Sequence, residues 1–189
     1  MTAPLGRGPK VRAAVLAATV DELSEHGYAA FTVENVAQRV GVHKTTVYRR
    51  WADRDELIAD ALADSVEAEI PIPDTGSVED DLRVLARSLV AWISSPSGRA
   101  VLAVMLSNAA PPDPTRHAFR DRIRKALPVV TRAVERGELP AGTNPAELIK
   151  TLVAPIYFRV LIPREPVDDS TADAAAAVAL TAARAGLFG

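Results

Sequence analysis

The sequence predicts an all-α protein, with an N-terminal three-helix domain over residues 1–68 and a larger helical domain over residues 69–189, about nine helices in total. Three observations carry this. Apolar residues recur at spacings of three and four along most of the chain, and no run alternates with the period of two that a half-buried strand needs. Alanine, the best helix former, is abundant. Glycine and proline, 10 and 14 in number, fall mainly between the periodic segments and punctuate them. With 48% hydrophobic residues, the chain can bury a sizeable core.

The leading Gly-Arg-Gly-Pro-Lys has no helical tendency before Lys10. From Lys10 to His26, Val11, Ala14, Val15, Ala18 and Leu23 share a broad face, and Gly27 ends this first helix. Phe31-Thr32 opens a second: Thr32 suits an N-cap and Glu34 suits the positive helix end. Gly41 stops it. A third helix begins at His43 or Lys44 and ends near Trp51. Asp53 caps a fourth, which runs through Leu57, Ile58, Ala61, Leu62 and Val66.

Ile70 to Ser77, I-P-I-P-D-T-G-S, is the best connector in the chain, with Ile70 and Ile72 expected to pack down. Val78 to Ser94 is amphipathic, with Leu82, Leu85, Leu89 and Trp92 on one side. Pro96-Ser97-Gly98 is a turn, Arg99 to Asn108 a sixth helix, and P-P-D-P a hard break. Thr115 to Arg136 is a long helix in which Pro128 is a candidate kink. After a loop, Pro145 suits the first turn of a helix running to about Ile162. The last helix runs from Ser170 to about Leu187. No internal repeat is present.

The absence of cysteine excludes disulfides and thiolate zinc sites and fits a reducing cytoplasm. The N-terminus lacks the apolar core of a signal peptide. No stretch reaches the roughly 18 uninterrupted apolar residues of a membrane helix, so no membrane partner is expected. The net charge is −2, but it is unevenly spread. Met1 to Trp51 carries seven cations (Arg7, Lys10, Arg12, Arg39, Lys44, Arg49 and Arg50) against four carboxylates, leaving −5 for the remainder. A basic first quarter on an acidic body suits contact with an anionic polymer through that quarter alone.

Two short helices joined at Gly41 form the signature of a helix-turn-helix. Ala37 is small where the second helix must cross closely, Gly41 can take positive φ at the turn, and Val47 is apolar where the second helix of the pair must pack inward. Val33, Val36 and Val40 complete the inner face, with Trp51 closing it. With Val47 facing in, Lys44, Thr45 and Tyr48 turn outward, where they can reach phosphates and base edges in a major groove. The N–H groups at the start of the second helix, near Thr32, suit a further phosphate. Arg7 and Lys10 either lie along a nucleic-acid backbone as a basic arm or form a solvated tail.

The segment E-H-G-Y-A-A-F-T-V-E-N-V-A-Q-R-V-G-V-H-K-T-T-V-Y-R-R-W-A-D-R-D-E-L resembles the DNA-binding domain of the TetR family of bacterial transcriptional regulators. Gly27-Tyr28, Thr32, Val36-Ala37, Gly41-Val42, Lys44, Tyr48, Trp51 and the acidic-Leu57 opening of the fourth helix carry the likeness, which covers about the first third of the chain. The resemblance implies a homodimeric regulator, more often a repressor, that a small molecule in the C-terminal domain releases from DNA. Carried over by position, it implies phosphate contacts at Thr32, Lys44, Thr46 and Tyr48, and base or mixed contacts at Val42, His43, Thr45 and Arg49. His43 departs from the family, which often has Ser there as a helix N-cap; it either reaches the DNA or is a solvent-facing turn residue.

The C-terminal part holds no catalytic constellation, phosphate loop or dinucleotide fingerprint, and no two of His26, His43 and His117 share a metal-ligand spacing. No enzymatic activity, cofactor or metal is therefore expected. Trp92, Met105, Phe119, Tyr157 and Phe158 are its large adaptable side chains, and are either ligand-facing or ordinary core. The last two helices are apolar on most sides and need burial on most sides. A second subunit is the simplest cover, through Leu148, Leu152, Ile156, Val160, Ala176, Leu180, Ala183 and Leu187. The sequence therefore reads as a cytoplasmic, ligand-responsive regulator whose partners are a near-palindromic double-stranded DNA operator, a small-molecule effector and a second copy of itself. The alternative is a helical small-molecule carrier or protein-binding adaptor without DNA function.

Overall fold

A computed structural model of the chain describes residues 7–106 and 113–189, apart from the side chains of residues 7 and 103–119. The described residues form nine α-helices and no strand: α1 (Arg7–Ala30), α2 (Val33–Val40), α3 (Lys44–Tyr48), α4 (Arg54–Glu69), α5 (Val78–Ser94), α6 (Pro96–Leu106), α7 (Asp113–Glu135), α8 (Pro145–Leu161) and α9 (Asp169–Arg184). They gather into two compact units. One holds the described residues up to Glu67 with those between Ser95 and Phe119; the other holds Ala68–Ser94 and Arg120–Gly189.

In the first unit α1 packs on α2 and α6, and α2 packs on α3. Val15, Leu16, Ala18 and Leu23 of α1 are buried with Val33, Val36 and Ala37 of α2, whereas Ala14 is exposed. Helix α1 starts at Arg7 rather than Lys10, because proline is tolerated in a first turn, where its missing N–H has no partner to lose. Gly27, at φ 73° and ψ 172°, interrupts the helix in a conformation open only to glycine, and a last turn continues to Ala30.

A buried carboxylate ties α2 to α1. Glu22 is fully buried, and its two oxygens accept from Asn35 Nδ2 at 2.6 Å and Arg39 Nε at 3.1 Å. His26 Nδ1 lies 3.4 Å from the same group. Glu25 also accepts from the Arg39 guanidinium, which holds its carboxyl below the usual range. Burial without such partners would be costly for a charge.

In the second unit α9 packs on α5 and α8, and α5 on α8. Its core includes Leu82, Trp92, Leu148, Leu152, Ile156, Ala172, Ala179 and Ala183. The connector from Ile70 to Ser77 is strapped down. Arg122 donates to the Ile70 carbonyl, Arg132 to the Pro73 carbonyl, and buried Asp81 accepts from the Thr75 N–H and hydroxyl at 2.7 and 2.8 Å. Ile70 is buried and Ile72 half-buried. Glu138 accepts from the Val78 N–H at 2.7 Å, closing the start of α5 with a carboxylate from a distant loop. Asn144 and Asp168 cap α8 and α9 through their side chains.

Candidate nucleic-acid interface

The helix-turn-helix is fixed by three local devices. Thr32 is extended, and its hydroxyl accepts from the Asn35 N–H at 3.2 Å, capping α2. Gly41 takes the left-handed conformation, φ 71° and ψ 32°, and the Val42 N–H returns to the Ala37 carbonyl at 3.0 Å. His43 is the N-cap of α3: its Nδ1 accepts from the Thr45 N–H at 3.4 Å and lies 2.9 Å from Thr45 Oγ1. Both contacts are met when Nδ1 carries no proton and the Thr45 hydroxyl donates.

Helix α3 is only five residues long, too short to persist unaided. Two buried side chains seat it, Val47 at 2% and Trp51 at 4% exposure. Trp51 Nε1 donates to Asp60 at 2.9 Å, and Asp60 also pairs with Arg12 at 2.8 Å, which links α1, the end of α3 and α4. Asp53 caps α4 through the Glu56 N–H, and Glu56 returns to the Ala52 N–H. α3 ends at Tyr48 rather than Trp51, since Arg49 and Arg50 form a turn.

With Val47 inward, Lys44, Thr45, Tyr48, Arg49 and Arg50 are exposed, Tyr48 by 44%, while Val42 and Thr46 are half-buried. Thr32 and His43 are exposed beside them, although both side chains also serve as caps. Lys10 is exposed on α1, and the side chain of Arg7 lies outside the described residues. Gly8, Val11, Arg12 and Val15 face Thr46, Arg49, Arg50 and Trp51 across a groove of about 410 Å³. The start of α1 and the end of α3 thus share one basic surface.

Counting cations overstates their availability. Arg12 is bound to Asp60 and Asp64, Arg39 to Glu22 and Glu25, and Arg54 stacks 4.6 Å from the Tyr28 ring beside Asp55. Lys44 Nζ lies 2.9 Å from Glu34 Oε1; the bond raises the amine above its ordinary value and lowers the carboxyl. Among the described cations of this unit up to Trp51, Lys10, Arg49 and Arg50 have no carboxylate within 4.0 Å. Arg50, 5.7 Å from the Trp51 ring, lines the groove and was left out of the sequence-derived contact set, although it stands beside Arg49 in the same run. Glu34 was read only as a favourable charge at a helix start; its tie to Lys44, ten residues on, needs the turn geometry to be seen.

Of the expected ligand residues, Trp92, Tyr157 and Phe158 have described side chains, all in the second unit. Trp92 is buried in the core of the second unit. Tyr157 is partly buried, its hydroxyl pushed up to about 12 by burial, with Arg122 acting in the opposite direction. Phe158 is 60% exposed on the outer side of α8. The side chains of Met105 and Phe119 lie outside the described residues.

The faces of α8 and α9 need a correction. Leu148, Leu152, Ile156, Ala176, Leu180 and Ala183 lie in the chain's own core, where α8, α9 and α5 meet, so they are not available to a partner. Of the eight residues expected at an interface, only half-buried Val160 and exposed Leu187 remain accessible. A different set of apolar side chains faces outward: Ala154 and Phe158 on α8 with Ile162 just past its end, at the spacing of four, and Ala174 and Val178 on α9. Phe158, Ile162, Val178 and Leu187 are, at 60–72%, the most exposed large hydrophobic side chains described.

Known proteins with the same pattern share it over most of the chain. Residues 15–61 match the model of bacterial regulatory proteins of the tetR family, and residues 72–179 match that of the tetracyclin repressor-like C-terminal domain. The HTH-type transcriptional regulator AqdR of Rhodococcus erythropolis is 34% identical over 157 residues, 82% of this chain and 76% of that protein. The DNA-binding transcriptional repressor TetR of Mycobacteroides abscessus is 38% identical over 79 residues, 41% of this chain and 42% of that protein. The crystal structure of the TetR family regulator SCO0332 superimposes with a TM-score of 0.76 at 32% identity, covering 91% of this chain and 97% of that one. The described helix-turn-helix, the all-helical body and these matches together make the chain a transcriptional regulator, not an enzyme, and a member of the TetR family.

Proposed function

We propose that the protein is a cytoplasmic, ligand-responsive repressor that binds a near-palindromic operator as a homodimer. The observation that carries the DNA reading is the outward polar face of α3, with Lys44, Thr45, Tyr48 and Arg49 opposite buried Val47. Thr32, Val42, His43 and Thr46 extend that surface toward α2 and the turn, and Arg50, Lys10 and Arg7 toward α1. Dimerisation is supported by the outward stripe of Phe158, Ile162 and Val178, apolar surface that a soluble monomer seldom leaves uncovered. Two-fold symmetry then sets two copies of α3 about one duplex turn apart, roughly 34–36 Å or somewhat more. Repression is supported by the named repressor among the relatives. An effector held near Trp92 and Tyr157 in the second unit releases DNA by favouring the state that fits the operator less well.

Selection from random duplexes, followed by gel shift, tests this directly. The expected product is a two-half-site sequence bound by two protomers. Failure to enrich any duplex refutes DNA binding and favours the carrier or adaptor reading.

A further inference from the structure

We propose that Glu34 is a selectivity-determining residue, an internal counter-ion for Lys44 that a DNA phosphate must displace. The inference rests on the DNA-facing reading of α3 and deepens it.

The pair spans the motif. Glu34 lies in the first turn of α2, Lys44 at the start of α3, and their charged atoms are 2.9 Å apart. Both side chains are about half exposed, 55% and 52%. The fold does not depend on this bond. Thr32 caps α2 through Asn35, Gly41 fixes the turn, and Val47 and Trp51 seat α3. The other paired cations of this region hold buried or inter-helix structure: Arg39 reaches fully buried Glu22, and Arg12 reaches Asp60, which also accepts from Trp51. Among the described residues, Lys44 is the cation held by a carboxylate on the face offered to DNA, whereas Arg49 and Arg50 beside it have none within 4.0 Å.

Binding to DNA of arbitrary sequence is driven almost wholly by release of condensed counter-ions as cations take phosphates. A phosphate that captures Lys44 must first separate it from Glu34, and the freed carboxylate stays beside the DNA. That exchange contributes little to a complex made of charge contacts alone. A matched site adds base contacts from the same surface, which offset the exchange. Glu34 therefore lowers affinity for random DNA more than for the operator.

The test uses the full chain with Glu34→Gln, Lys44→Ala and the double variant, titrated on a random-sequence duplex and on the selected operator. E34Q should bind the random duplex more tightly and steepen its salt slope by about 0.9, one added phosphate contact. Between 50 and 200 mM salt it should then lose about 3.5-fold more affinity than the parent. The gap between operator and random duplex should narrow, and the Gln effect should vanish when Lys44 is Ala. Equal slopes for parent and E34Q, or a Gln effect undiminished in the K44A background, overturn the proposal while leaving DNA binding intact. A parent chain that binds neither duplex overturns the DNA reading itself.

Discussion

Glu22 offers the sharpest test of how α2 is held. Replacing it with Gln keeps the shape and one carbonyl oxygen. The Asn35 bond survives as a neutral one, weaker than a bond to a carboxylate by about 1 kcal/mol. The other oxygen becomes an amide group facing Arg39 Nε, donor against donor, at a site that is fully buried on the Glu22 side. Arg39 keeps Glu25 and its own exposure to water, so the second loss lies at the lower end for a charged bond. The total for Glu22→Gln is about 2 kcal/mol, or roughly 4–8 °C in melting temperature for a chain of this size. Thermal unfolding followed by far-UV circular dichroism at neutral pH reads it. Glu25→Gln, which removes an exposed partner of the same arginine, is the control and should shift the transition far less. If E22Q melts within about a degree of the parent, or no lower than E25Q, the buried carboxylate does not hold α2, and the reasoning fails.

Two further outcomes follow from the second unit. Placing aspartate at both Phe158 and Val178 puts charges on the outward apolar stripe; light scattering should show a monomer at micromolar concentration, the dimer dissociation constant rising roughly a hundredfold or more. A variant that stays dimeric removes this stripe from the interface. Glu138 is held below its ordinary value by the Val78 N–H and then by Arg136. A carboxylate lowered in the folded state contributes stability above its unfolded value, near 4.5, and loses it as pH falls through the lowered folded one. Glu138→Gln should therefore melt below the parent at neutral pH and converge with it as pH falls below 4.5 and through the lowered folded value, as thermal melts across pH would show.

Much of the fold was legible because its signals are local. Thr32 and Gly41 mark their own helix ends, and a period near 3.6 marks each apolar face, so the order of helices and the turn at Gly41 follow from neighbouring residues. What was hidden depends on residues far apart in the chain. Glu22 entered the sequence reading only as one of four carboxylates in the charge count, and it is buried where Asn35 and Arg39, thirteen and seventeen residues later, fold back upon it. On α8 and α9 the difficulty was different. Both helices are apolar on several sides, so periodicity had no polar face to subtract. Leu148, Leu152 and Ile156, the larger side chains in register, serve the chain's own core; Phe158 and Val178, each on a different side of its helix, are left for water or a partner.

The same distinction governs the basic surface. Charge is additive along a sequence, but the capacity to take a phosphate is not, because a cation already held by a carboxylate must exchange one anion for another. Seven cations in the first quarter suggested a broad electrostatic footprint. The structure assigns Arg12 and Arg39 to holding helices together, leashes Lys44, and leaves Lys10, Arg49 and Arg50 without such a tie. Among the described cations, those without such a tie gather at the start of α1 and the end of α3, which suits the proposed reading of DNA through the exposed groups around one short helix. That helix cannot hold itself at five residues, so recognition depends on the buried links behind it: Val47, Trp51 with Asp60, and α2 seated on Glu22. Substitutions in those links can therefore abolish DNA binding without touching a single group that faces the groove.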